Sequence, residues 1–157
     1  MPQERRILGL ISDTHGLLRP AAVEALRGTD LILHAGDVGK AEILEQLRAV
    51  APVVAVRGNV DSGSWGRSLP LSEMVEFAGA SIYILHILED LDMNPRASGV
   101  QIVVSGHSHK PGSYEKAGVL YVNPGSAGPK RLSLPITVAS LDMKVRPWRV
   151  QFVTLED

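Results

Sequence analysis

The feature that most constrains this chain is a pattern used three times in its first sixty residues. A short apolar run ends abruptly in a cluster of glycine, aspartate or asparagine. The runs occupy residues 7–12, 31–34 and 53–56, and the clusters are Asp13-Thr14-His15-Gly16, Ala35-Gly36-Asp37 and Arg57-Gly58-Asn59-Val60-Asp61. Runs this short and this uniformly apolar predict strands buried on both faces, as in parallel sheets. Between them, residues 20–26 and 40–50 read as helices. Pro20 stands at a first turn, Gly28 lies just past an end, and Ile43, Leu44, Leu47 and Val50 share one face. Strand alternating with helix at this spacing requires parallel strands joined by crossovers.

After Asp61 the texture changes. Gly63, Gly66 and Pro70 mark a loop, and residues 74–77 and 81–86 flank Gly79 as a hairpin would. Residues 89–97 read as a short helix, followed by a buried strand at 101–105. Further strands are expected at 114–116, 119–122, 136–141 and 148–153, with Gly or Pro turns between them. There is no internal repeat, low-complexity tract or linker, so a single domain over residues 1–157 is expected. An α/β first half and a strand-rich second half predict an α/β fold of two sheets packed as a β-sandwich flanked by α-helices.

Composition narrows the partners. Sixteen Lys and Arg against 17 Asp and Glu leave a formal net charge of −1 on 157 residues. That balance argues against an extended nucleic-acid surface or an anionic membrane, both of which call for a basic excess. Aromatic residues at 4% argue against a base-stacking platform for single strands. The absence of cysteine excludes disulfides, thiolate zinc sites, iron–sulfur clusters and a cysteine nucleophile, and it fits a cytoplasmic setting. No apolar stretch is long enough to span a bilayer.

In open α/β sheets the carboxyl ends of parallel strands share one edge, where ligands bind. The polar clusters would therefore meet, joined by His86 and by Gly106-His107-Ser108-His109 after the later runs. Taken singly, each has an ordinary explanation: Asp-x-His and Gly-Asp are turn chemistry, and a histidine on an apolar strand is more often a hydrogen-bonded core residue. Five clusters, each after an apolar run, are another matter. Together they form an oxygen and imidazole donor set suited to divalent metals.

The ordered set Asp13-x-His15, Gly36-Asp37, Gly58-Asn59-x-Asp61, His86 and Gly106-His107-x-His109 resembles the calcineurin-like metallophosphoesterases, and more narrowly their small bacterial and archaeal phosphodiesterases. Asn123-Pro124-Gly125-Ser126 fits the same subgroup, and the likeness runs from about residue 7 to 142. The resemblance implies the metallophosphoesterase fold and two divalent cations, manganese ahead of zinc, iron, nickel or cobalt. It implies that Asp13, His15, Asp37 and His109 hold one ion. Asp37, Asn59, His86 and His107 would hold the other, with Asp37 bridging. It further implies hydrolysis of a small phosphoester, a diester before a monoester or nucleotide, by direct attack of a hydroxide shared between the cations. Asp37, Asn59, Asp61 and His107 are the residues it puts forward as catalytic, although Asp61 reads equally well as the cap of a turn.

Supporting roles fall to His34 as a structural neighbour of the site, to Arg57 and Arg131 as phosphate contacts, and to Asn123 as a brace. Two departures from the family pattern stand out. Val60 occupies the place where many larger members carry a histidine thought to protonate the leaving group. Ile87 follows His86 where glycine is usual, which predicts a reshaped pocket and weaker binding of the second ion. A competing reading is a non-catalytic protein-binding scaffold on the same fold, like the retromer subunit that resembles these enzymes. The complete ligand set favours the enzyme. A homodimer through an exposed strand-rich face is a further expectation.

Overall fold

In a computed structural model, residues 6–155 are described, so the two ends of the expected domain lie outside the described residues. The first half folds as its pattern dictates: β1 (Ile7–Ile11), α1 (Pro20–Ala25), β2 (Leu31–His34), α2 (Ala41–Arg48) and β3 (Val53–Ala55). Strands β1, β2 and β3 pair in parallel, with Ile11 opposite His34 and His34 opposite Ala55, so their carboxyl ends align on one edge. The second half adds β4 (Ser72–Phe77), β5 (Ala80–Leu85), β6 (Ile102–Val104), β7 (Gly112–Lys116), β8 (Val119–Asn123), β9 (Thr137–Asp142) and β10 (Gln151–Thr154). One five-stranded sheet has the order β10-β9-β1-β2-β3, the other β4-β5-β6-β8-β7. The expected two-sheet sandwich is present.

Alternation along the strands decides what faces what. Leu8, Leu10, Leu31 and Leu33 of the first sheet meet Ile82, Ile84, Ile102 and Val104 of the second in the buried layer between them. The neighbouring positions Ile11 and Ile32 point the other way, onto Leu26 and the apolar face of α2 at Ile43, Leu44 and Leu47. Removing this area from water is the main favourable contribution to the fold.

Three expectations are corrected. Residues 89–97 form no α-helix: a single 3₁₀ turn at Leu88–Asp90 gives way to turns, in which the Asn94 side chain accepts from Ala97 N–H and Pro95 lacks a donor to continue a ladder. This segment lays Leu88, Leu91 and Met93 on the outer face of the second sheet instead of a helix. The loop around Gly63 contains a short helix, α3 (Gly63–Arg67). The last strand begins at Gln151 and not at 148, because Trp148 turns back against the core and donates its indole N–H to the Met143 carbonyl. Among the described residues, no helix is long and apolar enough to cross a membrane.

Candidate metal centre

The residues at the strand ends converge. Asp13 and His15 follow β1, Asp37 follows β2, Asn59 follows β3, His86 follows β5, and His107 and His109 follow β6. Five of these seven (Asp13, His15, Asp37, His107 and His109) have positive φ, between 49° and 73°. Left-handed backbone at non-glycine residues costs energy and persists only where surrounding contacts enforce it. Here the loops cross one another closely: His15 N–H donates to the Asp37 carbonyl, Gly16 N–H to Val38 and Asp13 N–H to Gly36. A Cβ on Gly58 would lie 2.1 Å from both the backbone nitrogen and Oδ1 of Asp37, so only glycine allows the third loop to seat against the second.

Each carboxylate is held by one oxygen and offers the other. Asp13 Oδ2 accepts from Ser12 Oγ at 2.6 Å and from His107 N–H at 3.2 Å. Its Oδ1 is buried without a hydrogen-bond partner and faces His109 Nε2 at 3.3 Å, His15 Nε2 at 3.7 Å and His86 Nε2 at 3.8 Å. Asp37 Oδ1 accepts from Val60 N–H at 2.9 Å, while Oδ2 faces His86 Nε2 at 3.1 Å and His15 Nε2 at 3.7 Å. Asn59 Oδ1 completes the ring of donor atoms, 2.9 Å from His86 Nε2 and 3.2 Å from His107 Nδ1.

The tautomer of His86 follows from its surroundings. Nδ1–H donates to the Ala35 carbonyl at 2.7 Å, which directs Nε2 at the Asp37 and Asn59 oxygens. An unprotonated Nε2 would leave three acceptors facing one another, so either a proton or a cation belongs among them. Burial disfavours a charged His86, but the hydrogen bond to Asp37 and the charge of Asp13 outweigh it and raise the pKa. Burial likewise works against the Asp13 and Asp37 carboxylates. Asp13 is nonetheless lowered by the facing His15 imidazole and the Ser12 hydroxyl, and Asp37 by His86 and the Val60 N–H. The neighbouring Asp13 carboxylate raises His15, whereas burial lowers His109. His15 Nε2 and His109 Nδ1 are buried without hydrogen-bond partners, as is Asp13 Oδ1. Buried polar atoms are rarely left so, and this grouping of carboxylate and imidazole fits divalent cations.

Among the described residues, two groupings satisfy metal-ligand spacing, Asp13 with His15 and His109, and Asp13 with Asp37 and His86. The first contains three of the four residues expected around one ion. The second joins Asp37 to His86 as expected and adds Asp13. Asn59 and His107 stand beside it, both exposed.

Asp61 lies beneath the centre, where its carboxylate accepts from Gly58 N–H (2.9 Å), Gly39 N–H (3.0 Å) and Val38 N–H (3.2 Å). It ties the loop after β3 to the loop after β2. His34 is fully buried: Gly36 N–H donates to Nδ1, Nε2–H donates to Thr14 Oγ1, and Thr14 donates onward to the Val38 carbonyl. With both ring nitrogens used by a neutral imidazole, burial pushes its pKa down to about 4. Asn123 braces the histidine loop by donating to the Gly106 carbonyl and Ser108 Oγ. Arg57 lines a cleft beside Asn59, and exposed Arg131 bears electrostatically on His15 and His109. Sequence reading missed Ser12, whose hydroxyl fixes Asp13; a serine ending an apolar strand carries no signal of its own.

The chain belongs to the calcineurin-like phosphoesterase superfamily, whose domain is matched over residues 7–146. It is 32% identical over 145 residues to a protein of Methanothermobacter thermautotrophicus named as a probable metallophosphoesterase, covering 82% of this chain and 81% of the relative. Among solved structures, a novel archaeal phosphodiesterase superposes with a TM-score of 0.77 at 23% identity, over 94% of this chain and 99% of that one. Vps29 of Chaetomium thermophilum superposes with a TM-score of 0.75 at 19% identity, over 97% of each chain. These two likenesses establish the shared fold.

Proposed function

We propose that this chain is a phosphodiesterase that hydrolyses a small phosphoester at a centre of two divalent cations, manganese by preference. The single observation that carries the reading is the convergence of Asp13, His15, His109, Asp37 and His86 at metal-ligand spacing, with Asp13 Oδ1 and His15 Nε2 buried and without hydrogen-bond partners. Asp13, His15, Asp37 and His109 would hold one ion, and Asp37, Asn59, His86 and His107 the other. Asp37 Oδ2 faces histidines of both sets, which supports a bridging role. Bound there, two divalent cations would polarise a phosphoryl group and make water nucleophilic near neutral pH.

The chain's own residues set the conditions. The buried Ser12 and Thr14 hydroxyls beside the centre donate to Asp13 and to the Val38 carbonyl, which supports water over either of them as the nucleophile. The exposure of His107 and Asn59 supports a role for both in meeting substrate. Asp61 is a positioning residue, acting through the loops that carry Asp37 and Asn59. The cysteine-free composition supports a cytoplasmic setting.

A screen of chromogenic phosphomonoesters and phosphodiesters against a panel of divalent metals, with Asp37→Ala as control, tests the reading. Metal-dependent turnover, highest with diesters and abolished in the variant, is the expected result. Incorporation of solvent ¹⁸O into the phosphoryl product is expected as well. No turnover with any metal would favour the protein-binding scaffold, and faster turnover of monoesters would favour a phosphomonoesterase.

A further inference from the structure

Two clefts open beside the candidate centre, and the segment after His86 divides them. One, of about 460 Å³, is lined by Asn59 and His86 together with Arg57, Leu71, Tyr83 and Ile87. The other, of about 390 Å³, is lined by His107, Leu88, Lys110, Tyr114, Tyr121 and Asn123 among others. Ile87 faces the first and Leu88 the second, so the chain at 87–88 is the ridge between them. Both volumes lie in the range of small-molecule sites, roughly 300–1,000 Å³. A phosphorus atom at the centre would have room for a substituent on each side.

The two clefts differ in chemistry. The first carries the Arg57 guanidinium, whose buried Nε has no hydrogen-bond partner, with Asp90 and Asp92 on its wall. The second contains a tyrosine stack. Tyr114 and Tyr121 are paired across β7 and β8 with ring centroids 5.0 Å apart and planes within 5°. Two of the chain's three tyrosines are therefore gathered in one wall beside His107. Tyr114 remains 52% exposed despite the stack, so the pair offers aromatic surface to an occupant. Lys110 at the same cleft supplies a cation close to where an anionic phosphoester would lie. An aromatic ring stacks on such a wall, whereas a short alkyl chain gains little from it.

We propose that the Tyr114–Tyr121 cleft is the subsite for an aromatic group, aryl or nucleobase, on one arm of a phosphodiester whose other arm occupies the Arg57 cleft. This rests on the reading of the centre as a phosphodiester site. It makes Tyr114 and Tyr121 specificity-determining residues.

The test is equilibrium binding of diphenyl phosphate and diethyl phosphate to the manganese-loaded protein by calorimetry, with turnover of bis(p-nitrophenyl) phosphate measured in parallel. Diphenyl phosphate is expected to bind about tenfold more tightly than diethyl phosphate. Tyr121→Leu and Tyr114→Leu should remove that preference while leaving the affinity for diethyl phosphate unchanged. Tyr121→Phe, which keeps the ring, should retain it. Uridine 5′-monophosphate methyl ester against dimethyl phosphate gives the nucleobase arm of the comparison. Equal binding of aryl and alkyl diesters by the wild type, or equal weakening of both by the leucine variants, would overturn the subsite. If aryl preference depends on the tyrosines but no diester is turned over, the hydrolytic reading fails and the subsite stands. Turnover without any dependence on the arm has the opposite meaning, and failure to bind either diester overturns both.

Discussion

His34 and Val60 show how single side chains set the behaviour of the centre without being candidate ligands. His34 is neutral in the fold because each ring nitrogen is already used and no solvent reaches it. Its folded pKa of about 4 lies below the unfolded value of 6.5, so the unfolded chain takes up the proton first as pH falls. The stability it contributes is complete above pH 6.5 and is lost progressively down to about pH 4. A shift of this size corresponds to about 3 kcal/mol. Chemical denaturation of metal-free protein at pH 7 and pH 4.5 should show this loss, and His34→Gln should show a correspondingly smaller one. Identical pH slopes would mean that His34 is not the group that titrates. Val60 acts by omission. It is 46% exposed beside Asn59, and its N–H holds Asp37, but its side chain has no proton to give. Hydrolysis should therefore depend steeply on the leaving group's pKa. Val60→His should accelerate esters of poor leaving groups by about 10²-fold, the lower end of what general acids contribute, while changing p-nitrophenyl esters much less. A uniform change across a series of substituted phenyl esters would exclude this role.

At the scale of elements, the candidate ligands were legible because each directly follows an apolar run, and strand ends are where a parallel sheet gathers polar groups. Strands β1 to β3 and the helices between them carry their period in the sequence, so their positions are set by local pattern. The remainder depends on contacts distant in sequence. Residues 89–97 contain apolar positions that a helix could use, yet they spread over the second sheet, where Leu91 and Met93, with Leu88 before them, pack half-buried. The Tyr114–Tyr121 stack exists only through the register of β7 on β8, which no local signal fixes. The role of Asp61 was equally out of reach, since its acceptors are filled by N–H groups of two different loops. The elements also distinguish the two candidate ion sites. Asp13 and His109 are buried, whereas Asn59 and His107 sit at exposed loop positions, and Ile87 lines the adjoining cleft. The site using Asn59 and His107 should be the weaker of the two. Calorimetric titration with Mn²⁺ should resolve two classes at least about tenfold apart, since less supported ligands typically lose that much affinity. His107→Ala should remove only the weaker class. Two sites of equal affinity would contradict the distinction.

Across the whole molecule, the centre lies where the two sheets meet. Asp13, His15, Asp37 and Asn59 come from loops of the first sheet, whereas His86, His107 and His109 come from loops of the second. The apolar layer between the sheets is non-directional, so it secures their contact more firmly than their relative register. Ions held by ligands from both sheets would fix that register and link metal binding to global stability. Binding to the folded state alone stabilises by about 2.7 kcal/mol when free ion stands at a hundred times its dissociation constant. For a domain of this size, that should raise Tm by roughly 5–10 °C per site. Two increments are expected as Mn²⁺ is raised, both reversed by a chelator. Asp37→Asn keeps an acceptor for the Val60 N–H and preserves side-chain shape, but it removes the charge shared by the two histidine sets. It should therefore diminish both increments together, whereas His107→Ala should diminish one. If Asp37→Asn lost a single increment and kept the other intact, Asp37 would belong to one ion alone, and the two sheets would be joined by independent sites and not by one shared centre.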